Sequence, residues 1–283
     1  MSSTSPLVST EWLAERLGQP DLVLVESTVL PVSGGYVTGH ELYLLEGHIP
    51  GAVFADIIED FSAPGGAYPF TRPSRERLQA SAEALGIGDG KTVVLYDRAA
   101  GQWAARLWWV LRSHGVEVKV LNGGFTRWLA EGRETELGHV EPTPARLTLG
   151  EPRPELWVDK ADVQAIVAGE AEGTLICAVP AREFSGELGS RPRLGHIPGS
   201  TSVPVGSLLD RLTNTFAEEG ALRDTFGEVL QAPRVISYCA GGIAATADAL
   251  ALTVLGHQNV AVYDGSLNEW AADPNAPLVT NVD

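Results

Sequence analysis

The chain of 283 residues is 44% apolar and 20% charged, the balance of a globular protein long enough for two domains of ordinary size. Its formal net charge of −16 argues against binding to nucleic acid or to an anionic membrane, since both would repel an acidic partner. Two cysteines, Cys177 and Cys239, are too few for a disulfide framework and fit a reducing cytoplasm; no secretory signal and no apolar run near the ~20 residues of a membrane span is visible.

In chain order, the first half opens on a predicted helix over 10–17, with Ser9 as N-cap and Gly18 at its end. Residues 22–26 read as a short buried strand and 52–54 as another. Pro73 precedes a helix over 74–85 that stops at Gly86. Residues 92–96 are a continuous apolar, β-branched run, as a strand covered on both faces requires. A helical period follows over 101–114, then a strand over 118–121. The second half repeats the order: a helix over 160–168, strands at 174–177 and 234–238, a helix over 242–255 and a strand at 260–263. The alternation predicts an α/β fold of two similar domains, each a mainly parallel sheet flanked by helices. Residues 138–154 carry prolines 142, 144, 152 and 154 with no helical period, and read as an extended linker between domains at 1–137 and 155–283.

The two halves also repeat residue by residue. Leu95-Tyr96-Asp97-Arg98-Ala99-Ala100-Gly101 aligns with Ser237-Tyr238-Cys239-Ala240-Gly241-Gly242-Ile243. At the same constant offset, Gly123 falls on Gly265 and Trp128 on Trp270. Gly47-His48-Ile49-Pro50-Gly51 is answered by Gly195-His196-Ile197-Pro198-Gly199. One copy thus holds a thiol where the other holds a carboxylate, which points to one half performing chemistry and the other supporting it.

Cys239 ends a predicted strand, and a helix begins within a few residues. Such a turn aims backbone N–H groups and the positive end of a helix dipole at the sulfur, favouring the nucleophilic thiolate. Gly241 and Gly242 ease the backbone into that ring of donors. From these residues alone a buried structural cysteine remains the alternative.

The flanks extend the pattern. The two Gly-His-Ile-Pro-Gly elements, Asn122-Gly123-Gly124-Phe125 with Trp128, Tyr238-Cys239-Ala240-Gly241-Gly242-Ile243, Gly256-His257 and Asp264-Gly265-Ser266 with Trp270 resemble the tandem-domain rhodanese-type sulfurtransferases. That family comprises thiosulfate and 3-mercaptopyruvate sulfurtransferases, and the resemblance runs from about Val8 to Leu278. It implies a silent N-terminal copy, in keeping with Asp97, and a C-terminal loop whose Cys239 carries a sulfane sulfur as a persulfide from a small donor to an acceptor. The acceptor it implies is cyanide or a thiol, thioredoxin among them. No metal or organic cofactor is implied.

The loop departs from both family types. Thiosulfate enzymes resemble Cys-Arg-Lys-Gly-Val-Thr and mercaptopyruvate enzymes Cys-Gly-Ser-Gly-Val-Thr, whereas this chain has Cys239-Ala240-Gly241-Gly242-Ile243-Ala244. Residues 240–244 are the expected donor-binding loop, without a cation of their own. Glu183 stands where some substrate-binding relatives have Arg, Cys177 where Asp is common and Val179 where Arg is common. Arg72 and Arg182 are the basic residues expected to assist the donor, with Arg98, Arg191 and Arg193 as further candidates. Cys177 is read either as a small buried filler or as the partner of Cys239 in a redox latch. Two other functions fit parts of the pattern. A cysteine phosphatase needs an Arg closing its loop, and none follows Cys239. A sulfur carrier that keeps the cysteine without turning over small donors is the stronger rival.

Overall fold

The computed structural model describes residues 5–281. The chain forms two compact units: the chain up to Pro152 with the short segment Asp210–Thr215, and Arg153–Leu209 with the chain from Phe216 onward.

The first unit contains, in order, β1 (Leu7–Val8), α1 (Thr10–Ala14), β2 (Leu22–Glu26), β3 (Val29–Val32), β4 (Gly35–Thr38), α2 (His40–Glu46), β5 (Val53–Phe54), α3 (Arg75–Ala84), β6 (Thr92–Tyr96), α4 (Gln102–Arg112), β7 (Lys119–Leu121) and α5 (Gly124–Ala130). Its main sheet is wholly parallel in the order β1-β7-β6-β2-β5, with β3 and β4 as a separate antiparallel hairpin. The second unit contains β8 (Trp157–Val158), α6 (Lys160–Val167), β9 (Thr174–Cys177), α7 (Ala181–Phe184), β10 (Thr201–Ser202), α8 (Glu219–Phe226), β11 (Val235–Tyr238), α9 (Ala244–Val254), β12 (Val260–Tyr263) and α10 (Ser266–Trp270). Its parallel sheet runs β10-β9-β11-β12-β8, the order of the first sheet repeated.

Central strands β6 and β11 are buried almost throughout because helices cover both faces, which is why they read as unbroken apolar runs. The helices behind them are correspondingly buried all round, α4 from Trp103 to Leu111 and α9 from Ala245 to Leu252, with Arg106, Thr246 and Asp248 as the polar residues enclosed. Ser9 and Ser74 cap α1 and α3 by accepting from the N–H groups of Trp12 and Arg77. Helix α1 is shorter than its period suggested, because Arg16 N–H bonds the Leu13 carbonyl and tightens the chain toward left-handed Gly18. Helix α9 starts at Ala244 rather than at Gly242, whose φ of 76° is incompatible with a right-handed helix.

The repeat extends to hydrogen bonds. Tyr96 Oη accepts from Ile49 N–H at 3.2 Å, and Tyr238 Oη from Ile197 N–H at 3.0 Å. His48 Nδ1 donates to Tyr43 O and His196 Nδ1 to Phe184 O, so both histidines tie their turns to the preceding helix. Trp128 and Trp270 are buried, and each indole N–H donates to a carbonyl, of Glu134 and Pro277 respectively. The segment 138–152 lies on the first unit in extended form. Gly138 N–H bonds Leu44 O, Ala145 N–H bonds Glu83 O, and Leu147 and Leu149 are buried. Among the described residues no helix is long and apolar enough to cross a membrane.

Candidate active site

In open parallel sheets ligands bind at the carboxyl ends of the strands, where neighbouring connections leave in opposite directions. In the second unit that point lies between β9 and β11: β9 leads outward to β10, β11 the other way to β12. Cys239 follows β11 at this point. Ala178, the first residue after β9, donates its N–H to the Tyr238 carbonyl, so the two turns leave the sheet side by side.

The Cys239 backbone is fixed from α10. Its N–H donates to Ser266 Oγ at 3.1 Å, and that hydroxyl donates in turn to Tyr263 O at 2.7 Å. The carbonyls of Cys239 and Ala240 accept from Leu267 N–H and Asn268 N–H. Ser266 has a φ of 49°, rare for a residue with a β-carbon, and its two hydrogen bonds hold it there. The Cys239 side is the buried floor of the turn, Ala240 and Ala244 its partly exposed rim, and Gly241, Gly242 and Ile243 are buried between them. Helix α9 then begins without any side-chain cap on its first turn.

The first unit shows what such a turn holds. Asp97 follows β6 as Cys239 follows β11, and its buried carboxylate collects four backbone donors. Oδ1 accepts from Ala99 and Gly101 at 2.8 and 3.1 Å, and Oδ2 from Trp103 and Ala104 at 2.9 and 3.0 Å. Burial raises the Asp97 pKa, while the four N–H groups act against the rise. The two turns are not superimposable, since the left-handed glycine is Gly101 in the first copy and Gly242, one aligned position earlier, in the second.

Most of the basic residues expected near the donor already hold partners. Arg182 is exposed and pairs with Glu187 at 2.6 Å. Arg72 is an exposed residue of the first unit. Arg98, also of that unit, pairs with Glu26 at 2.5 Å and stacks on Phe125. Arg193 gives both terminal nitrogens to the carbonyls of Asp273 and Ala276. Arg191 is mostly buried and pairs with Glu183 at 3.0 Å.

Cys177 sits in register beside Tyr238, so by alternation its side chain leaves the sheet on the face opposite to that of the next residue, Cys239. It is fully buried, and burial pushes its thiol pKa up to about 12. Both facts favour packing over a latch.

Two residues had no role assigned from the sequence. Ser266 stood only as part of the Asp264-Gly265-Ser266 motif, and its hydroxyl is what the aligned Gly124 lacks. Asp248, the fifth residue of α9, is fully buried, with Ser237 Oγ at 3.4 Å from Oδ2 and no partner on Oδ1. Burial holds its pKa well above the usual carboxylate range, against a weaker pull from Ser237. In the unfolded chain the same carboxyl titrates near ~3.9, so above about pH 4 the folded state carries the extra proton and loses stability as pH rises. Asp248→Asn mimics the neutral acid at every pH. Thermal melts are expected to coincide with wild type near pH 4 and to lie several degrees higher at pH 8. A variant that melts lower at both would show that the carboxylate is charged and bound.

The chain is similar to known proteins over most of its length. The rhodanese-like domain model matches residues 9–131 and 178–273. The 3-mercaptopyruvate sulfurtransferase of Escherichia coli K12 is 33% identical over 283 residues, covering 98% of each chain. The thiosulfate sulfurtransferase of Gallus gallus is 32% identical over 285 residues, covering 93% of this chain and 92% of its own. The crystal structure of SseA from Escherichia coli, solved for the fold and mechanism of 3-mercaptopyruvate sulfotransferases, superposes with a TM-score of 0.82 at 31% identity. It covers 93% of this chain and 99% of that one.

Proposed function

This chain belongs to the tandem-domain rhodanese-type sulfurtransferases and is a sulfurtransferase; from that premise we propose that Cys239 carries the sulfur as a persulfide. The first copy (1–137) is catalytically silent, 138–154 connects the copies, and 155–283 does the chemistry. The observation that carries this reading is the Asp97 turn. Its strand, turn and helix frame gathers four N–H donors on one anion, and the second copy places a sulfur at the same aligned position.

In the first step the Cys239 thiolate attacks the sulfur of the donor. With 3-mercaptopyruvate the new S–S bond forms as the C–S bond breaks; the electron pair leaves on carbon, which takes the thiol proton to give pyruvate. With thiosulfate the S–S bond breaks and sulfite leaves. In the second step cyanide or a thiolate, thioredoxin included, attacks the outer sulfur and returns the Cys239 thiolate. Residues 240–244 line the donor; of the cations proposed from sequence to assist, Arg72 and Arg182, the second would first have to leave Glu187. The steps need no further cofactor.

We expect 3-mercaptopyruvate to be the better donor. No Lys or Arg lies in 240–244, Arg182 and Arg193 are already paired, and the chain carries −16, so a dianion finds little stabilisation. Steady-state specificity constants for the two donors test this, and Ala240→Arg should shift the ratio toward thiosulfate by about tenfold. A higher constant for thiosulfate in the wild type overturns the preference. No turnover with either donor, with a loadable Cys239, would replace the enzyme reading by that of a carrier.

A further inference from the structure

The repeat that aligns the two turns also aligns two cavities, at the end of each sheet away from those turns. Strand β5 pairs only with Val25 and Glu26, so the first residues of β2 run past its end. Beside them lies a cavity of about 300 Å³ lined by Leu22, Leu24 and Gly51 among others. Strand β10 likewise pairs only with Ile176 and Cys177 of β9. A cavity of about 230 Å³ lies there, lined by Gly173, Leu175 and Gly199, which the strand registers and the Gly-His-Ile-Pro-Gly elements align with the first three.

The copies differ in what crosses the gap. In the first, the extended segment 138–145 does so: Gly138 N–H bonds Leu44 O, Ala145 N–H bonds Glu83 O, and between these anchors Val140, Pro142 and Pro144 line the cavity. The second copy sets out on the same path. Val279 O holds His196 N–H as Glu136 O holds His48 N–H, and two residues on, Asn281 N–H bonds Ser185 O as Gly138 bonds Leu44. Among the described residues, however, none of this segment reaches the second cavity, whose remaining wall is Ile166, Val167 and Pro198.

The open place is apolar and edged by main chain. Thr174 N–H is bonded to Arg234 O on the β11 side, so by alternation the N–H of Leu175 and the C=O of Gly173 face the other way, beyond the end of β10. An extended chain laid along this edge finds a donor and an acceptor on β9, and an apolar wall for its side chains. Proline suits the place because it pre-sets the extended form and lowers the cost of ordering. We propose that the second cavity is a docking groove for an extended, proline-containing segment of another polypeptide, seated as 140–145 is seated on the first copy. The groove lies at the opposite end of the strands from Cys239 and does not depend on the persulfide reading.

The probe is a fluorescein-labelled peptide with the sequence of residues 138–147, added to the full-length protein and followed by anisotropy. It should bind saturably below about 1 mM, and its Pro142→Ala, Pro144→Ala version about fivefold more weakly. Val167→Glu puts a charge in the groove and Val167→Trp fills it. Each should weaken binding by about tenfold or more, in a protein whose thermal melt matches the wild type. Leu22→Glu, at the first cavity, should leave binding unchanged, and saturating peptide should slow amide exchange at Leu175. No saturable binding to the wild type overturns the inference. So does binding that survives both Val167 substitutions, or unchanged exchange at Leu175. Binding lost with Leu22→Glu instead also overturns it, because the peptide would then be replacing the protein's own segment on the first copy.

Discussion

Cys239→Ser is expected to abolish sulfur transfer, by a factor of about 10³ or more, while the protein stays folded. A serine hydroxyl is almost never ionised at neutral pH and cannot hold a sulfane sulfur as a persulfide. The fold should survive because the structural bonds of this residue are made by its main chain: its N–H to Ser266 Oγ, and its carbonyl from Leu267 N–H. Turnover with 3-mercaptopyruvate, intact mass after donor treatment and a thermal melt check the three parts of this expectation. Full activity in the variant would end the assignment of the nucleophile.

The second large effect falls on stability rather than on turnover. Asp97→Ala removes the acceptor of four N–H groups, those of Trp103 and Ala104 buried and those of Ala99 and Gly101 part-buried, each left to find water or to rearrange the turn. A net loss of about 3 kcal/mol is expected, which in a unit of this size lowers Tm by roughly 10 °C. Asp97→Asn should recover only part of it, since its amide nitrogen must face N–H donors with no lone pair to offer. Sulfur transfer measured well below the melting range should change less than about threefold, because Asp97 is not part of the unit that holds Cys239. A loss as deep as that of Cys239→Ser would overturn the silent role of the first copy.

These two residues also mark how much was legible in the sequence. The central strands and the helices after them were plain from apolar runs and periodicity, because both faces of a parallel sheet are covered and the pattern has no polar interruptions. The hairpin β3–β4 went unread: Pro31 and the exposed face of Gly35–Thr38 break the alternation that would have announced it. Of the four two-residue strands only β5 was read, as 52–54; β1, β8 and β10 carry too little pattern to be seen alone and are strands only through their neighbours. In the site, Cys239 and its glycines stood out through the repeat, whereas the pairing of Arg191 with Glu183 across an intervening turn left no local trace. Asp248 was hidden for the opposite reason. It interrupts an apolar helix that reads as buried, and only the packed structure shows that its Oδ1 has no partner there.

The first copy could not become reactive by a single reversal. Gly124 holds a φ of 56° against the Asp97 main chain, where a β-carbon would run into the Asp97 carbonyl, whereas Ser266 lends a hydroxyl from the aligned position. The left-handed glycine has also moved by one residue between the copies. A cysteine placed at 97 would enter a turn reshaped around a carboxylate, with no serine to receive its N–H. The silence of the first copy is thus built into three places, residue 97, residue 124 and the position of the left-handed glycine, and not into one side chain.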